Sequence, residues 1–124
     1  MIKFDEELVE LNKMISEIAS EVEDMIAKSI KSLIDRNMIM AQEVINNDKK
    51  VNDMEIVIDN QAIKVLGLYQ PEAKDLRIIT MIMKINNDLE RIGDHSVSIA
   101  KLSLYLSEQP EIKPLIDIPR MADK

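Results

Sequence analysis

Apolar residues recur along the first part of this chain at alternating steps of four and three residues. That spacing places them on one face of an α-helix and predicts a first helix from about residue 6 to residue 36. Asp5 is predicted to cap the start of this helix, and Asn37 is predicted to end it in a left-handed conformation. The stripe consists of Phe4, Leu8, Leu11, Ile15, Ile18, Val22, Met25, Ser29 and Leu33.

Two further helices follow from the same spacing. The second is predicted from about residue 38 to residue 66, kinked or restarted at the polar run 46–48 and ended by Gly67. Pro71 is predicted to open the third helix, which extends to about residue 108. The second stripe is Met40, Val44, Val51, Met54, Ile58 and Val65, and the third is Ile78, Ile82, Ile85, Leu89, Ile92, Ser96, Ile99, Ser103 and Leu106.

Three long apolar stripes joined by short connections predict an all-α fold, an antiparallel three-helix bundle. We assign this bundle to residues 1–109. Residues 110–124 are interpreted as a linker or as the opening of a missing second unit, because Pro110 and Pro114 interrupt the helical pattern before the apolar segment 114–122. Whether the chain is a truncated piece or a natural half stays open at this point.

The charge and composition of the chain exclude several classes of function and suggest where the protein acts. The net charge of −7 argues against nucleic-acid binding and favours cations or basic surfaces as partners. Cysteine is absent, which excludes disulfides and thiolate metal sites. No run approaches about 18 uncharged apolar residues, so no transmembrane helix is expected. The first seven residues carry acid where a signal peptide needs base, so a cytoplasmic location is expected.

A pair of carboxylates marks the densest polar stretch of the third helix. Glu90 and Asp94 are four residues apart, so both project from one face. A cation bound between them would offset their repulsion, and oxygen ligands of this kind suit hard or borderline metals. The simpler interpretation of such a pair is a solvated helix face. A lone histidine such as the adjacent His95 is more often a packed or exposed imidazole than a metal ligand.

The second helix supplies candidate partners for this pair. If it ends near residue 66 and the third begins near residue 72, the numbers of residues at equal height sum to about 138. Glu90 then lies level with Asp48, and Asn86 lies level with Asn52. One stripe of the second helix carries Asp48, Asn52, Glu55 and Asp59, of which the first three join Glu90 and Asp94 in the predicted ligand set. Asp53 points elsewhere, and Asp48 could instead be an N-cap after a break in the helix.

Catalysis has little support in the sequence. With one His, no Cys and two Gly, the chain has no apparent nucleophile–base pair and no phosphate loop, so we expect no enzyme. Two alternatives stay open. One is a di-metal helical-bundle enzyme, although such bundles usually use Glu-x-x-His pairs, which His95 cannot complete. The other is a structural helical bundle without metal.

Three segments resemble the PhoU family of phosphate-uptake regulators. They are LGLYQPEAKDLR at 66–77, NDLERIGDHSVSIA at 87–100, and the Asn47-Asp48 break with the following VNDME at 51–55. The segments stand in the family's order and at its spacing. The resemblance covers almost the whole chain, and the first 109 residues are similar to the N-terminal three-helix repeat of that family.

The resemblance implies a regulatory role. Family members usually have two such repeats, lower phosphate uptake and silence the phosphate-starvation response. They are thought to contact the subunits of a phosphate ABC transporter and a sensor histidine kinase, so membrane association is expected only through partners. A chain with one repeat exposes the face that the second would cover, so a homodimer is expected.

The resemblance also implies a metal site. Some members bind multinuclear iron or other metals through paired E(D)-x-x-x-D motifs, so the expected cofactor is a divalent or transition-metal ion such as iron, manganese, zinc or magnesium. Glu90-x-x-x-Asp94 matches the motif. The second motif is assigned to Asp48-x-x-x-Asn52, in which Asn replaces an acid.

Overall fold

The computed structural model describes residues 2–108, with side chains from Lys3 onward. Helix α1 spans Ile2–Asp35, α2 spans Met38–Tyr69 and α3 spans Ala73–Glu108. Each helix packs against the other two. The segment 110–124, interpreted above as a linker or a second unit, lies outside the described residues. Within the described range, no helix is both long enough and apolar enough to cross a bilayer.

Contacts between the helices fix their directions. Gln61 donates to Glu7 near one end of α1, and Lys50 donates to Glu21 nearer its middle, so the numbering falls along α2 as it rises along α1. The Ser103 hydroxyl donates to the carbonyl oxygen of Ser32 at 2.8 Å, close to the ends of α3 and α1. The helices therefore run up, down and up, and the predicted antiparallel three-helix bundle is confirmed.

The core consists mainly of the predicted stripe of α1 and aliphatic residues of α2. Leu11 and Ile18 of α1 and Val65 of α2 are completely buried. The predicted stripe of α2 omitted Ala41 and Ala62, which are also completely buried. Small residues in the core allow close approach of two helices, so an apolar pattern of large side chains alone does not reveal them.

The buried face of α3 differs from its predicted stripe. Ile78, Ile85 and Ile92 are 37%, 40% and 39% exposed, whereas the innermost residues are mostly small or polar. A β-carbon at Gly93 would lie 3.6 Å from a methyl carbon of Val51, so α3 approaches α2 closely at this level. Each of these isoleucines directly precedes a buried residue of α3, so they lie beside the buried face rather than on it. The buried residues of α3 are Ile79, Ile82, Asn86, Gly93, Ser96, Ala100 and Ser103.

The connection between α1 and α2 reverses two predicted roles. Arg36, not Asn37, adopts the left-handed conformation, with φ of 54°. Asn37 is extended and caps α2, because its side-chain oxygen accepts a hydrogen bond from the backbone N–H of Met40 at 3.0 Å. An Asn at a helix boundary can serve either helix. Here its side chain satisfies an N–H at the start of α2.

The connection between α2 and α3 begins and ends a few residues later in the sequence than predicted. Helix α2 continues through the run 46–48 and past Gly67, and it ends at Tyr69, whose ring packs against that of Phe4 with centroids 5.4 Å apart. Gln70 then takes a left-handed conformation with φ of 41°. Helix α3 begins at Ala73 rather than at Pro71. Aromatic packing against α1 accounts for the extra turn of α2, and it changes the alignment of α2 with α3.

Candidate metal centre

Asn86 sets the alignment of the two helices that carry the predicted ligands. Its side-chain amide donates to the carbonyl oxygen of Glu55 at 2.9 Å and to a carboxylate oxygen of Asp59 at 3.2 Å. Because α2 ends at Tyr69 and α3 starts at Ala73, the numbers of facing residues sum to about 142. The prediction that Asn86 faces Asn52 is therefore wrong by about one helical turn.

Four of the predicted ligands come together despite this shift. A hydrogen bond with Asp94 is the largest cause that raises the pKa of Glu90 from 4.5 to about 7, followed by burial and the charges of Asp94, Glu55 and Asp48. Burial, followed by the charges of Asp59 and Asp94, raises the pKa of Glu55. Carboxylates from α2 and α3 thus repel one another along the groove between these helices.

Asp48 and Asn52 form the far end of this group on α2. The Asn52 amide donates to one carboxylate oxygen of Asp48 at 3.4 Å. The other carboxylate oxygen of Asp48 is buried and has no hydrogen-bond partner. Asp48 lies within an unbroken helix, so its interpretation as an N-cap is wrong. The hydrogen bond to Asp48 is therefore the contact that links Asn52 to the carboxylates of the groove.

Asp59 is the residue that the predicted ligand set missed. It accepts the hydrogen bond from Asn86, and its charge acts on Glu55. The spacing Glu55-x-x-x-Asp59 repeats that of Glu90-x-x-x-Asp94, and this repetition was the available signal. The predicted alignment of α3 with α2 was displaced by about one helical turn, so it placed Asp48 and Asn52, rather than Asp59, beside the ligands of α3.

Three basic side chains near the groove form ion pairs with acids outside the predicted ligand set. Arg91 lies 3.7 Å from Asp88 on its own helix. Lys49 binds the exposed carboxylate of Asp53 at 2.9 Å, and Lys50 binds Glu21 of α1 at 2.7 Å. These three cations therefore do not neutralise the carboxylates of the groove.

The donor chemistry of the groove fits a hard or borderline cation. All of its candidate ligands offer oxygen, and two buried oxygens, one on Asp48 and one on Asn86, have no hydrogen-bond partner. Among residues 2–108, however, no three His or acidic side chains already stand in an arrangement that would hold a metal ion. Side chains must therefore draw together for an ion to bind. The metal site stays a prediction.

The raised pKa of Glu90 predicts a pH dependence of the metal-free protein. The folded state keeps a proton on Glu90 up to about pH 7, while the unfolded chain releases it near 4.5. Stability should therefore fall as pH rises through this window, since the unfolded state binds fewer protons there. Melting temperatures measured in the presence of a chelator test this. Glu90→Gln should flatten the profile, and an unchanged slope in that variant would contradict the assignment to Glu90.

Comparison with known proteins identifies the family. A family model described as the PhoU domain matches residues 15–103. The chain belongs to the PhoU family. The match extends from α1 to the last turns of α3, so it includes the whole α2–α3 carboxylate groove. The family resemblance seen in the sequence is therefore confirmed.

PhoU relatives agree with this assignment along nearly the whole chain. The phosphate-specific transport system accessory protein PhoU homolog of Aquifex aeolicus is 38% identical over 98% of this chain and 55% of its own length. PhoU homolog 2 of Thermotoga maritima is also 38% identical, over 97% of this chain and 51% of its own length. The crystal structure of PhoU from Pseudomonas aeruginosa superposes with a TM-score of 0.88 at 31% identity, covering 97% of this chain and 58% of that one.

The chain spans about half the length of the curated PhoU relatives it matches. Its single three-helix bundle therefore corresponds to one part of those proteins.

Proposed function

We propose that this chain is a non-catalytic regulatory adaptor of phosphate uptake and of phosphate-starvation signalling. The observation that carries the proposal is the PhoU match over residues 15–103, together with relatives named as accessory proteins of phosphate-specific transport. The adaptor acts in the cytoplasm as a negative regulator. Its partners are the subunits of a phosphate ABC transporter and a sensor histidine kinase, which it binds through surface contacts.

The α2–α3 groove is the proposed regulatory site, where a divalent or transition-metal ion binds. Glu90, Asp94, Glu55 and Asp48 are the principal ligands, with Asn52 beside Asp48. Asp59 is added because it repeats the same spacing on α2. The pKa of Glu90 is raised mainly by its hydrogen bond with Asp94 and that of Glu55 mainly by burial, and the charges of neighbouring carboxylates add to both shifts. A bound cation would offset that added repulsion, which supports the proposal. The ion would fasten α2 to α3 and stabilise the surface that partners contact.

A metal-free adaptor is the second candidate. It is favoured by the finding that, in the part of the chain described, no three ligating side chains are already assembled. On this alternative the carboxylates form an acidic surface for basic partners. Metal content after purification without a chelator distinguishes the two.

Cells of the source organism that lack this gene provide the functional test. We expect higher phosphate uptake and derepressed starvation genes in phosphate-rich medium, and we expect the wild-type gene to restore repression. Glu90→Gln/Asp94→Asn should fail to restore it. Asp53→Asn is the matched control, since Asp53 is an exposed acid paired with Lys49 outside the groove. Unchanged phosphate uptake and starvation-gene expression in the deletion strain would refute the regulatory proposal.

A further inference from the structure

Three exposed apolar side chains extend the α2–α3 groove beyond its carboxylates. Ile56 and Ile63 of α2 are 55% and 56% exposed, and they lie one heptad apart on the same side of the helix. Leu76 of α3 is 41% exposed and lies two heptads before Glu90, so it shares the side of α3 that carries Glu90. We call these three residues the apolar end of the groove. A metal ion would use the carboxylates and leave the apolar end without a contact.

Asp59 lies between the carboxylates and the apolar end. It comes three residues after Ile56 and four before Ile63, so the three residues follow one strip of α2. Because facing residue numbers sum to about 142, Leu76 lies within about one turn of Ile63 along the bundle. From Asp48 to Ile63 the groove extends about 22 Å along α2, or about four helical turns. This length suits a short helical segment better than a single ion.

No basic side chain of the described residues neutralises the groove. Every ion pair among residues 2–108 involves acids outside it. Lys101, the next basic residue on this side of α3, lies one heptad beyond Asp94, or about 10 Å further along the helix. The charge of the groove therefore favours a cationic ligand. Its carboxylates belong to Asp48, Glu55, Asp59, Glu90 and Asp94.

Two buried acceptors in the groove lack a hydrogen-bond donor. They are one carboxylate oxygen of Asp48 and the side-chain oxygen of Asn86. Asn86 is completely buried, and its amide group already contacts Asp59 and the backbone of Glu55. Lys and Arg side chains carry donors and no acceptors. A basic segment would therefore supply both the charge and the donors that the groove lacks.

We propose that the α2–α3 groove binds a helical segment of a partner protein, with basic residues in one half of the segment and aliphatic residues in the other. The basic half lies over the carboxylates, and the aliphatic half packs against the apolar end. The inference rests on the proposed adaptor role, because it names the chemistry of a partner. Helices commonly bind in grooves through a few apolar anchors, while charged contacts set specificity and orientation.

A metal ion and this segment would use the same carboxylates. An ion bound by Glu90 and Asp94 cancels the charge that attracts Lys and Arg, so the ion and the segment exclude each other. Other surfaces of the bundle stay available to partners in both forms. The occupant of the groove thereby couples the metal content of the adaptor to its choice of partner.

Binding of a model peptide tests the proposal. The probe is a fluorescently labelled helical peptide of about 14 residues, with lysines in one half and leucines in the other, placed along one face. A peptide of the same composition in scrambled order controls for general attraction to an acidic protein. With excess chelator, fluorescence anisotropy should show at least about tenfold tighter binding of the ordered peptide. Equal affinity for the two peptides would overturn the proposal.

Charge removal tests the acidic end. Glu90→Gln/Asp94→Asn should weaken binding of the ordered peptide by at least about tenfold, because two contacts to lysine are lost. Glu10→Gln/Glu17→Gln is the matched control, since it removes the same charge from exposed positions of α1. The control should bind as the wild type does. Equal losses in the two variants would show attraction to net charge alone and would refute the groove as the site.

Polar substitution tests the apolar end. Ile56→Gln/Ile63→Gln keeps helix-forming residues but removes the aliphatic contacts, so peptide affinity should fall at least about tenfold with unchanged helicity. Ile30→Gln/Ile34→Gln makes the same change on α1, where these side chains are 45% and 66% exposed, and should bind normally. Full affinity in the Ile56→Gln/Ile63→Gln variant would contradict the proposal. A change in the oligomeric mass of that variant would assign the two isoleucines to contact between copies and equally overturn it.

Mn²⁺ in place of the chelator tests the exclusion. Protein that elemental analysis shows to be loaded with Mn²⁺ should bind the ordered peptide at least about tenfold more weakly. Unchanged affinity in the loaded protein would refute the shared use of the carboxylates. Derepressed starvation genes in the deletion strain, together with no preference for the ordered peptide, would refute this inference alone. Normal regulation in that strain would refute the adaptor role, while the peptide affinities still report on the groove.

Discussion

Glu90→Gln/Asp94→Asn should abolish the metal content of protein purified without a chelator. Both substitutions keep the size of the side chain but remove its charge, so the groove loses two anionic ligands at once and α3 no longer contributes a carboxylate pair. Helix content should be unchanged, since neither residue belongs to the apolar core. Elemental analysis beside far-UV circular dichroism measures both quantities.

The same variant should be more stable than the wild-type protein when both are free of metal. In the wild type, a hydrogen bond with Asp94, burial and the charges of the neighbouring carboxylates together raise the pKa of Glu90 to about 7. The uncharged amides of the variant remove the costs of burying and crowding negative charge. Melting temperatures with excess chelator should therefore rise in the variant, whereas added metal should stabilise only the wild type. Asp53→Asn should behave as wild type in both assays. Full metal occupancy in the double variant would eliminate the proposed centre and favour an acidic docking surface.

Leu11→Ala should destabilise the bundle by about 2–5 kcal/mol. Leu11 is completely buried in α1, where it belongs to the core cluster shared by all three helices. Removing its isobutyl group loses apolar burial and leaves a cavity that three long helices can only partly close. Urea unfolding followed by circular dichroism measures the loss.

Leu68→Ala is the control for that prediction, because Leu68 is 64% exposed near the end of α2. The same chemical change there should alter the free energy of unfolding by less than about 0.5 kcal/mol. Equal losses at the two positions would show that helix propensity, rather than core packing, dominates the effect.

The carboxylate groove shows how far sequence could define the site. The four-residue spacing of Glu90 and Asp94 predicted that they share a face, because spacing within one helix is fixed by local geometry. Which residues of α2 face them depends on where the hairpin turns. Gly67 looked like the end of α2, but the helix continues to Tyr69, and the alignment moved by about one turn. As a result, the Asn86 amide donates to the carbonyl oxygen of Glu55 rather than lying level with Asn52, and it also contacts the carboxylate of Asp59.

The sequence alone determined the number of helices, the core face of α1 and the family. These depend on local periodicity and on short motifs, and each of these can be recognised within a single segment of the chain. Tertiary structure decided which face of α3 is buried, because Gly93 and Ser96 permit a close approach that large isoleucines do not. It also decided where α2 ends, since Tyr69 gains a contact with Phe4 that only the folded bundle provides. Contacts between distant segments compete with local signals, and here those contacts determined the final alignment.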